Sequence, residues 1–163
     1  MNKIRLDFFS DHSKDEWETP REIFETLNKE FGFTLDPCCT SKNAKCEKFY
    51  TAQENGLLQD WSGEVVFLSP PRGRQTHKWI KKAYESSLKG ATVVCLVFAK
   101  TDTIWWHSYC MKAKNIRFLR GRLKFILNGQ SCGDAPFGSA VVVFQGKQAK
   151  VAELGLFDQE ESA

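Results

Sequence analysis

Apolar residues recur at helical spacing in some stretches of the chain and run unbroken in others, and the two patterns alternate. Ile23, Phe24, Leu27 and Phe31 fall on one face of a helix that Thr19 is placed to N-cap, with Pro20 in the first turn and Gly32 as the stop. Phe33 to Leu35 then has strand character and breaks at Asp36-Pro37, which sets a carboxylate at the carboxyl end of a strand. The residues from there to Tyr50 are short and polar and give no clear period. "GEVVFLSPP" is a strand launched by Gly63 and ended by two prolines, neither of which can donate a ladder hydrogen bond. "THKWIKKAYESSLKG" puts Trp79, Ile80, Ala83 and Leu88 on one face and lysines on the other, with Gly90 as its stop. "ATVVCLVFA" is a second unbroken strand, "DTIWWHSYCMKA" reads as a helix, "NIRFLRG" as a strand, and "SAVVVFQG" as a late strand without polar interruption.

Strands and helices alternating in this order, with strands apolar on both faces, predict an α/β fold: a mostly parallel central sheet with helices on both faces. Ligands in such folds sit at the carboxyl ends of the strands. Two chemically pointed places fall there, Asp36 and the run Ser69-Pro70-Pro71-Arg72. A strand ending in Pro-Pro is stiff, and the carbonyls beside it lack ladder partners, so the notch suits an NH2 group as its guest. The competing reading is a tight turn that merely stops the strand.

A length of 163 residues suits a single domain over 1–163, with a core of about residues 15–146 and an acidic tail, "DQEESA". With 42% hydrophobic and 26% charged residues the chain reads as globular, without an apolar run long enough to span a bilayer. Its first residues, "MNKIRLDFFSDHSKDEW", are polar and mixed in charge, unlike a secretory signal, so the protein is expected to stay where it is made. The formal charge of +3 hides two basic clusters, Arg72 to Lys82 and Arg117 to Lys124. Such clusters suit a polyanion, and two solvated faces are the competing reading. The six cysteines show no C-x-x-C pair and read as reduced thiols in a cytosol. A zinc site from Cys38, Cys39, Cys46 and a histidine fits poorly, because adjacent ligands suit a tetrahedral site badly; no metal is expected.

Taken together, "DEWETP", "FGFTLDPCCTSKNAKCEKFYT", "NGLLQDW", "VVFLSPPRGR" followed by "KWIKKAYE", "ATVVCLVFAKTDTIWWH", "IRFLRGRLKF" and "APFGSAVVVF" resemble, in order and spacing, the phage-type DNA N-6-adenine methyltransferases. These are relatives of the class I S-adenosylmethionine-dependent methyltransferases, and the likeness covers roughly Asp15 to Phe144. It implies a Rossmann-like fold, S-adenosyl-L-methionine as cofactor, double-stranded DNA as partner and methyl transfer to N6 of adenine. It also implies work in the cytoplasm of a bacterial host and a phage or prophage origin; a monomer is expected, with an oligomer left open. Position by position, the resemblance sets Asp36 and Pro37 in the first cofactor loop and Trp17, Thr19 and Pro20 in a segment closing over the cofactor. It makes Asp60-Trp61 the acidic-aromatic pair at the cofactor adenine and Glu54 a ribose carboxylate. A glycine-rich loop after Asp36 is missing.

The notch is then the catalytic motif, which in this family reads Asn or Asp, Pro-Pro, then Tyr or Phe. Its first side chain and the carbonyl beside the prolines accept hydrogen bonds from the target amine, and the aromatic stacks on the flipped base. Positioning supplies most of the effect, without a metal or covalent intermediate. Here Ser69 stands in the first place, as in relatives that methylate the amine of cytosine, and its hydroxyl can accept one hydrogen bond. Arg72 stands in the last, where a guanidinium can stack on a base but adds charge beside an already cationic methyl donor. Three readings follow: an active site of altered base preference, a catalytically inactive protein that binds DNA or S-adenosylmethionine, or a residue changed from its natural identity. A small-molecule or protein methyltransferase would leave the basic rim unexplained.

DNA contact is expected from Arg74, Lys78 and Lys82 after the notch, and from Arg120, Arg122 and Lys124 around Gly121. Asn128 to Gly138 is glycine-rich and reads as a mobile loop near the target base. His77 and His107 read as helix-surface residues rather than general bases, and Trp105-Trp106 as core anchors.

Overall fold

The computed structural model describes residues 17–146. The acidic tail and the first residues of the "DEWETP" segment lie outside the described residues.

Helix α1 (Arg21–Phe31) ends where Gly32 adopts φ 67° and its N–H bonds to the Asn28 carbonyl at 2.9 Å. Its start departs from expectation: Pro20 is the N-cap and makes no side-chain cap, while Thr19 is buried elsewhere. Strand β1 (Leu35–Asp36) is shorter and later than its apolar run suggested, so Asp36 lies within the strand. The unassigned stretch holds β2 (Lys48–Phe49), paired in parallel with β1. A 3-10 turn at Gly56–Leu58 precedes β3 (Val65–Leu68), which stops at the prolines as the sequence implies.

Helix α2 (Thr76–Leu88) buries Trp79, Ile80 and Ala83, but Leu88 is exposed, and Ser86 and Ser87 close the buried face instead. Strand β4 (Thr92–Phe98) follows. The single helix expected over "DTIWWHSYCMKA" is two pieces, α3 (Ile104–Ser108), capped by Thr103, and a 3-10 turn at Cys110–Lys112. Tyr109, with φ −127° and ψ −53°, breaks it. Strand β5 (Asn115–Phe118) forms one edge.

Across the start of the expected mobile loop the chain instead builds a hairpin, β6 (Ile126–Leu127), which precedes Asn128, and β7 (Gln130–Ser131). Asn128 and Gly129 have φ of 50° and 76°, the left-handed pair that a two-residue turn requires. Strand β8 (Ser139–Gln145) then inserts antiparallel between β4 and β5.

The sheet order is β2-β1-β3-β4-β8-β5, and β8 alone runs against the others. The strands carry apolar residues on both faces because both faces are covered. Val66, Leu68, Val93 and Cys95 meet Ile80 and Ala83 of α2 on one side. Phe67, Val94, Leu96 and Val141 meet Leu27 of α1 on the other. This is a mixed α/β fold with a mostly parallel sheet and helices on both faces. Among the described residues, no helix is long and apolar enough to cross a membrane.

Candidate active site

Because β1 and β3 are parallel neighbours, their carboxyl ends bring Asp36 and the Ser69-Pro70-Pro71 turn to the same edge of the sheet. A narrow cleft of about 30 Å³ joins them, lined also by Trp17, Thr19, Lys45 and Arg72. The Asp36 carboxylate is buried and accepts from the backbone N–H of Lys45 at 3.0 Å and of Cys38 at 3.4 Å. Burial raises its pKa above the usual aspartate value, and those two N–H groups oppose the rise.

The segment before α1 closes the cleft. Glu18 exchanges two backbone hydrogen bonds with Ile126 of β6, at 2.7 and 3.1 Å, and its carboxylate lies 3.7 Å from Lys45 Nζ. Trp17 and Thr19 are thereby buried on either side of it. The Thr19 hydroxyl has no hydrogen-bond partner among the described residues.

Beyond Pro37 a larger cavity of about 430 Å³ opens, walled by the loops after β1 and β2, by Pro71 and by Trp79. That is the size of a cofactor or small-molecule pocket. Gly56 makes the wall possible: a Cβ there would come within 2.0 Å of the Pro37 carbonyl oxygen. Glu54 and Asp60 stand outside this lining. The Glu54 carboxylate accepts from Thr51 N and Oγ1, each at 2.6 Å, which holds its pKa down. Asp60 is likewise engaged by Ser62 Oγ at 2.6 Å and N at 3.0 Å. Trp61 is wholly buried, donates to the Gly56 carbonyl at 2.9 Å and stacks on Trp79, so it reaches the cavity through its neighbours.

Arg72 projects inward. Its guanidinium carbon lies 3.8 Å from the ring centre of Phe125, 5.0 Å from Trp17 and 5.2 Å from Phe98. A second cleft of about 30 Å³, lined by Pro70, Thr76, Leu96, Phe98 and Trp105, lies on its other side. Thr76 Oγ1 donates to the Pro71 carbonyl at 2.8 Å, tying α2 to the turn.

The basic residues divide. Arg74, Lys78, Arg120 and Lys124 are exposed. Lys82 donates to the Gln59 carbonyl at 2.6 Å and lies over Trp61, with burial lowering its pKa. Arg122 reaches the Ala135 carbonyl at 3.3 Å, and Arg117 pairs with Glu30 through two 2.6 Å hydrogen bonds. His77 and His107 each place a ring nitrogen 2.7 Å from a nearby backbone carbonyl, of Arg74 and Thr101. All six cysteines are free, and no three His, Cys, Asp or Glu side chains among the described residues converge to hold a metal ion. Trp106 is a core anchor, but Trp105 lines the second cleft. Phe98, Phe125, Trp105 and Trp79 are the site residues that sequence reasoning missed. Each belongs to an apolar run, and membership of such a run does not distinguish a core residue from a cavity wall.

A mostly parallel α/β sheet with a carboxylate and a rigid Pro-Pro turn on adjacent strand ends is the arrangement in which α/β folds generally bind ligands, at the carboxyl edge of the sheet. The family model described as DNA N-6-adenine-methyltransferase (Dam) matches residues 9–158. The DNA N-6-adenine-methyltransferase of Haemophilus phage HP1 (strain HP1c1) is 31% identical over 118 residues, 71% of this chain and 68% of that protein. The DNA N-6-adenine-methyltransferase of Escherichia phage T1 is 32% identical over 122 residues, 73% of this chain and 50% of that protein. The chain belongs to the DNA N-6-adenine-methyltransferase family.

Proposed function

We propose that this protein is an S-adenosylmethionine-dependent DNA methyltransferase that transfers a methyl group to N6 of adenine. The observation that carries the reading is the shared cleft between Asp36 and the Ser69-Pro70-Pro71 turn. The fold supports its finer description, a single Rossmann-like class I methyltransferase domain, through the mostly parallel sheet and the helices on both faces. The names of its phage relatives support DNA as the substrate and a bacterial host as the setting; duplex DNA, the cytoplasm and a monomer complete the proposal.

The residues present fit the cofactor. The 430 Å³ cavity is walled in part by Pro37 and Trp79. Asp36 supplies a buried carboxylate next to it, and the Thr19 hydroxyl is buried without a bond among the described residues. Trp17 lines the same cleft as that hydroxyl, and Pro20 follows Thr19 as the N-cap of α1. Trp61 holds the Trp79 wall through its stack, and Glu54 and Asp60 fix the loops on either side of Gly56. When bound, S-adenosylmethionine supplies an electrophilic methyl group on a sulfonium.

With the Pro71 carbonyl engaged by Thr76, the acceptor role falls to the Ser69 hydroxyl and the Pro70 carbonyl. Two acceptors on a rigid turn orient an exocyclic amine and keep its lone pair free for attack. The prolines matter because φ is fixed at both, so the geometry is set before the substrate arrives. Exposed Arg74, Lys78, Arg120 and Lys124 supply phosphate contacts around the notch, with Arg122 shaping the loop between them; Lys82 serves mainly the wall under Trp61.

Ser69→Ala tests the notch. Labelled methyl transfer to unmodified duplex DNA should fall about 10- to 100-fold in kcat, in line with loss of one positioning hydrogen bond, while calorimetric affinity for S-adenosylmethionine stays unchanged. Undiminished transfer would remove Ser69 from the chemistry.

A further inference from the structure

Two clefts flank the Pro70 turn, and the side chain of Arg72 is the partition between them, since it lines both. Each has room for about 30 Å³, about two or three waters by the usual measure of about 10–15 Å³ each. A purine is several times larger. Between the clefts lies a cage of three aromatic rings from three separate places in the chain: Trp17 ahead of α1, Phe98 at the end of β4, and Phe125 ahead of β6. Trp17 and Phe125 are stacked at 5.8 Å with 24° between their planes, and Phe98 meets Phe125 edge-on at 6.2 Å and 79°. Trp17 and Phe125 stack too closely to admit a planar group between them, so the three rings form one aromatic wall whose open side suits a planar π-system or a planar cation. The guanidinium of Arg72, 3.8 Å from the Phe125 centroid, covers that open side.

We propose that Arg72 is a gate residue that occupies the place of the flipped base, so that the base enters only by displacing the guanidinium from the Trp17, Phe98 and Phe125 cage. The inference rests on the reading of the notch as a base-methylation site. Guanidinium and base are alternative occupants because both are flat, both stack on aromatic faces, and the two clefts hold neither while Arg72 divides them. Arginine suits this role better than lysine, whose compact, strongly hydrated ammonium would not lie flat against a ring face. Withdrawing the guanidinium merges the clefts into one pocket beside the Ser69 and Pro70 acceptors. The gate makes base admission selective: a base must offer the cage better stacking than the cation it expels.

The test uses 2-aminopurine riboside, whose fluorescence is quenched on stacking, titrated into the whole protein. Arg72→Ala is expected to bind the nucleoside about tenfold more tightly than the unaltered protein, the order expected for one stacked base. Millimolar guanidinium chloride, too dilute to denature, should reverse that gain by refilling the cage. Arg72→Lys retains charge and stem, guards against a folding defect in the alanine variant, and should show a smaller gain in the same direction. Equal or weaker nucleoside binding by the folded variants, or a gain indifferent to guanidinium, would overturn the gate. Methyl transfer to duplex DNA by the unaltered protein separates the two readings. Transfer without any nucleoside gain in the variants defeats the gate and leaves the activity. A guanidinium-sensitive gain with no transfer by any of the proteins defeats the activity and leaves the gate.

Discussion

A buried hydroxyl without a partner, such as that of Thr19 among the described residues, costs a fold about 1–3 kcal/mol. Thr19 retains it on the wall of the cleft, where a ligand can supply the missing bond. Thr19→Val, close to isosteric, should therefore raise the melting temperature of the ligand-free protein while weakening S-adenosylmethionine binding several-fold in calorimetry; unchanged affinity would sever the hydroxyl from the cofactor. Asp36→Ala should leave the fold intact by circular dichroism and reduce cofactor affinity at least about tenfold, the scale of a lost charged hydrogen bond. Asp36 was legible in the sequence because Pro37 ends the strand behind it. Thr19 was legible only in part: its sequence position is that of an N-cap, yet Pro20 caps α1 and Thr19 lines the cleft. Arg72 was legible as an anomaly, whereas its cage was not, since Trp17, Phe98 and Phe125 lie far apart in the chain.

The elements with long apolar runs, β3, β4, β8, α1 and α2, could be read from the sequence because burial on a face imposes its period on the residues. The two-residue strands β1 and β2 are held by parallel neighbours rather than by propensity, and no period can be read from two residues. The direction of β8 was also out of reach, as a strand buried on both faces looks the same either way. The hairpin was within reach: Asn128-Gly129 is a strong two-residue turn signal, masked by the glycines that follow it. This hairpin bears on function, because β6 holds Glu18 and with it Trp17 and Thr19. Gly129→Ala, forced to φ near 76°, should cost about 1–2 kcal/mol. It should also lower cofactor affinity by loosening that segment. A variant destabilised with unaltered affinity would show that the hairpin supports the fold alone.

At the scale of the molecule, the sheet does most of the work. Parallel pairing of β1 with β3 sets a buried carboxylate beside a rigid acceptor turn, and two short loops wall a cavity next to them. Alternation of strands and helices was enough to place this edge from sequence, because the carboxyl ends of parallel strands share one side of a sheet. The cavity walls were not, since they depend on how loops of irregular sequence pack, as with Gly56 against Pro37. The measurement that tests the account most directly is incubation of the protein with methyl-labelled S-adenosylmethionine and unmodified duplex DNA, followed by mass spectrometry of the digested nucleosides. The account predicts label in N6-methyladenine. Label in a cytosine derivative, or no label although the cofactor binds, would contradict it.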